Sequence, residues 1–202
     1  MSSAVVRTTE YFDQLAAAMH SAREVVTQRL RQLSEDQLNQ RPSPDTWSVG
    51  QCLEHLTIVG GHHLPIMVRK IKAAMERGSK PADIVKSGFV GRWLVQSMRI
   101  PVSQKALKTP QRYAPSGSRL PRTVVEVFGR QLDEMLHLID QARTINANRV
   151  RIPNPLIPLL QLRLTDEFAF LLAHLERHMA QIERVLQATK RPQDEAEAKP
   201  TE

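Results

Sequence analysis

His174 and His178 stand four residues apart, the spacing that stacks two imidazoles on one side of a helix. Their companions on that side are Leu171, Leu175, Ile182 and Val185, so both rings point toward an apolar interior. His55 shares its side of an earlier helix with Cys52, Ile58 and Val59, and it too faces inward. A buried imidazole must satisfy both ring nitrogens, and three of them do so most simply by converging on one cation. A His-x-x-x-His pair reaches a single metal at about 2.0–2.1 Å, and a third histidine from a facing helix completes a triad with open coordination positions. The spacing therefore predicts a divalent metal held by His55, His174 and His178.

Glu176 follows His174 by two positions, so it points round the helix and cannot take the general-base place of an HExxH motif. Activation of a water or a thiol would then fall mainly to the metal. Gln51, Cys52 and Gln181 are the candidates for touching a ligand histidine or the metal's surroundings. Each also has a plainer reading: Gln51 as half of a helix cap, Cys52 as a small buried hydrophobe, Gln181 as a polar residue at a face boundary. Of the seven histidines, His137 lies among acidic and amide neighbours and reads as surface, and His20 as a boundary residue. His62 and His63 are expected to pack near Pro65 or to line a pocket mouth.

Four amphipathic segments must position these groups. Phe12, Leu15, Met19, Ala22, Val26, Leu30 and Leu33 recur at helical steps over roughly 8–33. After a proline-containing loop, Ser48 and Gln51 have capping-box spacing at the head of a second helix. Pro65 predicts a kink there or a boundary after Gly60-Gly61. Residues 88–98 read as a short helix packing Phe89, Trp93, Leu94 and Met98 on the bundle. The stretch KTPQRYAPSGSRLP that follows reads as a long ordered loop or lid. The third helix covers about 122–146. RVRIPNPLIPLLQLRL is irregular, and Thr165 caps the fourth helix, with Asp166 and Glu167 in its first turn. The expectation is an all-α four-helix bundle with a long connection between helices 2 and 3 and negligible sheet, one domain over 1–190 with a charged, disordered tail over 191–202.

The chain has 202 residues and a net charge of +7. Between Lys80 and Arg119, eight basic residues face the single acid Asp83, so the connection carries the excess while the helices are balanced. Dispersed charge without a zinc finger, an arginine–glycine repeat or an aromatic sheet motif argues against nucleic acid as partner. Arg92, Lys108 and Arg112 from this segment are the candidates for contacting an acidic group on a substrate. One cysteine excludes an internal disulfide. The absence of a signal-peptide pattern and of a long apolar run predicts a cytoplasmic protein with no membrane association.

The segment from Trp47 to Leu56, WSVGQCLEHL, and that from His174 to Ile182, HLERHMAQI, closely resemble the DinB-like superfamily of bacterial proteins. The resemblance implies a four-helix bundle of up-down-down-up topology, often homodimeric, with one histidine of the second helix and two of the last binding zinc, nickel or a related ion such as iron. By position these match His55, His174 and His178, and Trp47 matches an aromatic residue that plugs the bundle end. Gln51 and Glu54 match the motif without acquiring a catalytic duty. The family includes thiol-dependent transferases, a mycothiol-dependent isomerase and many proteins of no assigned activity. What it implies here is a metal-dependent enzyme of thiol-transferase or hydrolase type acting on a small molecule, with a low-molecular-weight thiol as possible cosubstrate. The alternative is a non-catalytic, stress-related binding protein on the same bundle.

Overall fold

The computed structural model describes residues 6–99, 108–117, 119–155, 157 and 159–197, the side chains only as far as residue 190. Its helices are α1 (Thr8–Gln28), α2 (Glu35–Asn39), α3 (Val49–Glu76), α4 (Phe89–Arg99), α5 (Thr123–Arg143) and α6 (Leu164–Glu197). Two short 3-10 turns, Leu30–Gln32 and Gln111–Tyr113, join them.

The expected inward stripe of α1 is buried: Phe12, Leu15, Met19, Ala22 and Val26 meet the core, because their three- and four-residue steps keep them on one side. Ser48 heads α3 with a complete capping box, its side chain accepting from the Gln51 amide while the Gln51 side chain accepts from the Ser48 amide. A second capping box, Ser34 with Gln37, starts the unforeseen α2. α3 runs unbroken through Pro65, so no boundary falls at Gly60-Gly61. Pro65 removes the donor owed to the Gly61 carbonyl, and Gly61 is exposed to solvent.

α1, α3, α5 and α6 form a packed bundle in which α1 and α3 each touch both α5 and α6. Arg23 bridges to Asp133 at 2.7 Å and Arg143 to Asp13 at 2.7 Å between α1 and α5, while Arg29 reaches Glu183 on α6 at 2.9 Å. Phe12 and Phe168 meet edge to face at 6.0 Å in the centre.

α4 packs on α6 with Leu94 and Met98 half-buried, but Phe89 and Trp93, expected to pack beside them, turn outward. Phe89 is 79 % and Trp93 62 % exposed, and the buried residue of α4 is Gly91. A Cβ at Gly91 would lie 2.3 Å from Asp166 Cγ, so this glycine lets α4 approach α6 closely. Asp166 accepts from the Gly88 amide with both carboxylate oxygens, at 3.0 and 3.1 Å, and holds the amino end of α4. Thr165 lies inside α6 rather than capping it; its hydroxyl donates to the Lys86 carbonyl. Before α6, Arg151–Pro153 and Gln161–Arg163 form a two-stranded antiparallel ladder, β1 and β2, with Ile152 opposite Leu162. This small sheet was not expected in a proline-rich stretch; its prolines stand at or beyond the strand ends. α6 continues to Glu197.

Candidate metal centre

His55 sits two turns into α3, and the Ser48 cap fixes where that helix begins. His174 and His178 lie one turn apart on α6. All three side chains are buried, and they offer ligand atoms within 4.8 Å of one another, a group capable of holding a metal ion. His174 Nε2 lies 3.1 Å from His55 Nε2 and 3.1 Å from His178 Nε2.

The other ring nitrogens explain why the Nε2 atoms converge. His55 donates Nδ1–H to the Tyr113 carbonyl at 2.7 Å, and His178 donates Nδ1–H to Gln181 Oε1 at 3.0 Å. With those protons on Nδ1, the Nε2 atoms of both rings carry bare lone pairs, and both face His174. A proton on His174 Nε2 satisfies only one of them; a cation satisfies all three. Metal–nitrogen bonds of about 2.0–2.1 Å place ligand nitrogens about 2.9 Å apart at right angles and about 3.4 Å apart in a tetrahedron. The observed 3.1 Å falls between these, so the donor set fits a divalent transition ion.

Electrostatics agree. Burial, and then the neighbouring His55, lower His178 from the ordinary 6.5 to about 3. Burial, followed by His178 and His55, holds His174 well below the usual range. Burial also lowers His55, against the Tyr113 carbonyl, which raises it. Near neutral pH all three are uncharged, the form in which imidazole ligates.

A cavity of about 730 Å³ borders the cluster. Trp47, Val59, Met98, Tyr113 and Phe170 give it apolar walls, and Asp45, Lys108, Asn154 and Arg177 supply polar groups. Neither α1 nor α5 contributes to its lining. Trp47 stacks on His178 at 6.0 Å and 13° and leans on His55 at 5.1 Å, covering the ligand rings at the bundle end. Glu54 Oε2 accepts from the Ser116 amide and hydroxyl at 2.9 and 3.1 Å, which ties the 108–117 connection to α3 and brings Tyr113 over His55.

The structure separates the remaining candidates. Gln181 touches a cluster histidine. Gln51 is committed to the α3 cap, and Cys52 is fully buried, its thiol pushed up to about 12 by burial. Lys108 lines the cavity, whereas Arg92 and Arg112 do not. Arg92 reaches back to the Ser87 carbonyl at 3.4 Å, and Arg112 lies over Tyr113 and donates to the Pro155 carbonyl at 2.6 Å. Arg177, one residue before His178, lines the wall instead, with Nη1 donating to the Met98 carbonyl at 3.3 Å. Its place between the two cluster turns was a signal the sequence offered. Glu176 is exposed. His62 is exposed and meets Tyr113 edge to face at 5.0 Å, while His63 is buried and pairs with Glu167. No signal in the sequence joined those last two residues.

A family model described as the DinB superfamily matches residues 18–182. No curated protein and no solved structure matches the chain at a significant level.

Proposed function

The chain belongs to the DinB superfamily, and from that membership and the convergence of three Nε2 atoms beside a cavity we propose a divalent-metal-dependent enzyme acting on a small molecule, of thiol-transferase or hydrolase type. The ligands are His55, His174 and His178, and three neutral nitrogen donors suit zinc or nickel, with iron as a further option. Bound there, such an ion lowers the pKa of a thiol or water at its open positions, so that an anionic nucleophile exists near neutral pH.

The chain's own residues do the rest. The Tyr113 carbonyl and Gln181 hold two ligand rings in the Nδ1–H tautomer. Trp47 shields the rings from water. Lys108 and Arg177 supply positive charge for an acidic group on the substrate. A low-molecular-weight thiol is the cosubstrate this arrangement suits.

The same reading takes the bundle as up-down-down-up, supported by the antiparallel pairing of Asp13 with Arg143 and Arg23 with Asp133. It takes residues 1–190 as one domain with a charged tail, and the protein as a cytoplasmic homodimer. Among the described residues no helix is long and apolar enough to cross a membrane, and Phe89 and Trp93 offer exposed apolar surface for a second copy.

A second reading, a binding protein without turnover, is favoured by one observation: among the described residues no carboxylate joins the three imidazoles in the cluster. Elemental analysis of natively purified protein, alongside His55→Ala, tests the metal, and a screen of thiol-transfer and hydrolysis reactions on the loaded protein separates the two readings. Absence of stoichiometric metal together with no stabilisation by added zinc or nickel would overturn the metal-dependent enzyme and leave a binding protein without metal.

A further inference from the structure

The two helices that build the metal centre repeat one pattern along the cavity. On α3, His55 is followed one turn later by Val59 and another turn later by His63, and all three line the wall. On α6, His174 is preceded by Phe170, which stacks on it at 6.1 Å and 9°, and Phe170 in turn meets His63 at 6.1 Å. The wall therefore reads polar, apolar, polar. Eight residues of helix separate its two polar ends, about 12 Å along the axis.

The far end is a buried imidazole–carboxylate pair. His63 Nδ1 is hydrogen-bonded to Glu167 Oε1, and both side chains are buried. Because a carboxylate accepts, the Nδ1–H of His63 is committed to Glu167, and with the imidazole neutral the nitrogen left for a ligand is Nε2, a hydrogen-bond acceptor. Glu167 Oε2 has no partner among the described residues. A buried pair of this kind is costly to keep for stability alone, since well-packed apolar side chains do the same or better.

We propose that the His63–Glu167 pair is a second recognition point of the cavity, taking a hydroxyl or N–H group at one end of a substrate whose other end reaches the three imidazoles. The substrate class is an elongated molecule: a metal-seeking thiol or oxygen at its head, an alkyl or aromatic middle lying over Val59 and Phe170, and a neutral hydrogen-bond donor about 12 Å away. A carboxylate at that end is disfavoured, because its lone pairs would face that of Nε2. This inference rests on the reading of the triad as a metal site.

The test uses the full-length protein loaded with cobalt(II), titrated with alkanethiols and with the ω-hydroxy and ω-carboxy thiols of matching chain length, following thiolate-to-cobalt absorption. The ω-hydroxy thiols are expected to bind several-fold to about tenfold more tightly than plain ones, as one added hydrogen bond allows. That preference should appear only near the chain length that spans the two ends, and the ω-carboxy series should show none. Glu167→Gln should weaken the preference, and His63→Leu/Glu167→Leu, which replaces the pair with apolar side chains, should remove it while cobalt content stays. A preference equal at all lengths, or one that survives in the double variant, would overturn the recognition point alone. If no thiol perturbs the cobalt spectrum, the reading of the triad as a thiol-binding centre fails, and this inference fails with it. Should neither variant fold, the length series on the unaltered protein still decides.

Discussion

His55 donates its Nδ1–H to the carbonyl oxygen of Tyr113 across 2.7 Å, so a residue 58 positions away, in the connection between α3 and α5, sets which nitrogen of a helix-borne imidazole faces His174. Gln181 does the same for His178 from one turn along its own helix. The centre thus has one tautomer-setting contact built by tertiary structure and one built locally.

Gln181→Leu should leave the fold intact and weaken metal binding by about 10- to 100-fold, the usual cost of losing a group that orients a ligand. Competition titration with a chromophoric chelator measures this. Unchanged affinity would mean that the His178 ring is held by packing against Trp47 alone.

The metal-free protein should lose stability as pH falls. In the unfolded chain His178 takes up a proton near its ordinary 6.5, whereas in the folded chain burial delays this to about 3. The unfolded state therefore binds more protons between those values. The contribution is fully present above about 6.5 and is lost progressively toward about 3, on the order of a few kcal/mol. Urea unfolding of wild type and His178→Leu from neutral to acidic pH checks this; the variant should show the shallower dependence.

Asp166→Ala should detach the amino end of α4 at a cost of about 1 kcal/mol, the typical worth of a helix cap. Gly91→Ala should act in the same direction, because its Cβ would collide with the Asp166 side chain. Thermal unfolding gives the size, and amide exchange localised to α4 distinguishes a loosened helix from a weakened core.

Phe168→Ala should cost about 3–5 kcal/mol, since it removes a fully buried ring that packs edge to face on Phe12. Urea denaturation provides the measurement.

Cys52 should resist alkylation in the native protein and react promptly once unfolded, because burial keeps its thiol protonated and covered. Cys52→Ala should leave metal content unchanged. A fast native reaction with a thiol reagent would place this residue at an accessible surface instead.

Which way each helix faces could be read from the chain alone. The three- and four-residue recurrence of apolar side chains is a local property, and it turned His55, His174 and His178 inward and His137 outward, as the structure has them. The Ser48–Gln51 cap and, among the described residues, the absence of long strands follow from equally local chemistry. Residue types at one end of α4 misled for the same reason: Phe89 and Trp93 look like core, but local pattern carries no knowledge that Gly91 is the residue able to approach Asp166. The pairing of His63 with Glu167 spans 104 positions, and that of Tyr113 with His55 spans 58. Such contacts depend on which helices become neighbours and at what height, a matter settled by packing the whole core, and no spacing within either segment encodes it.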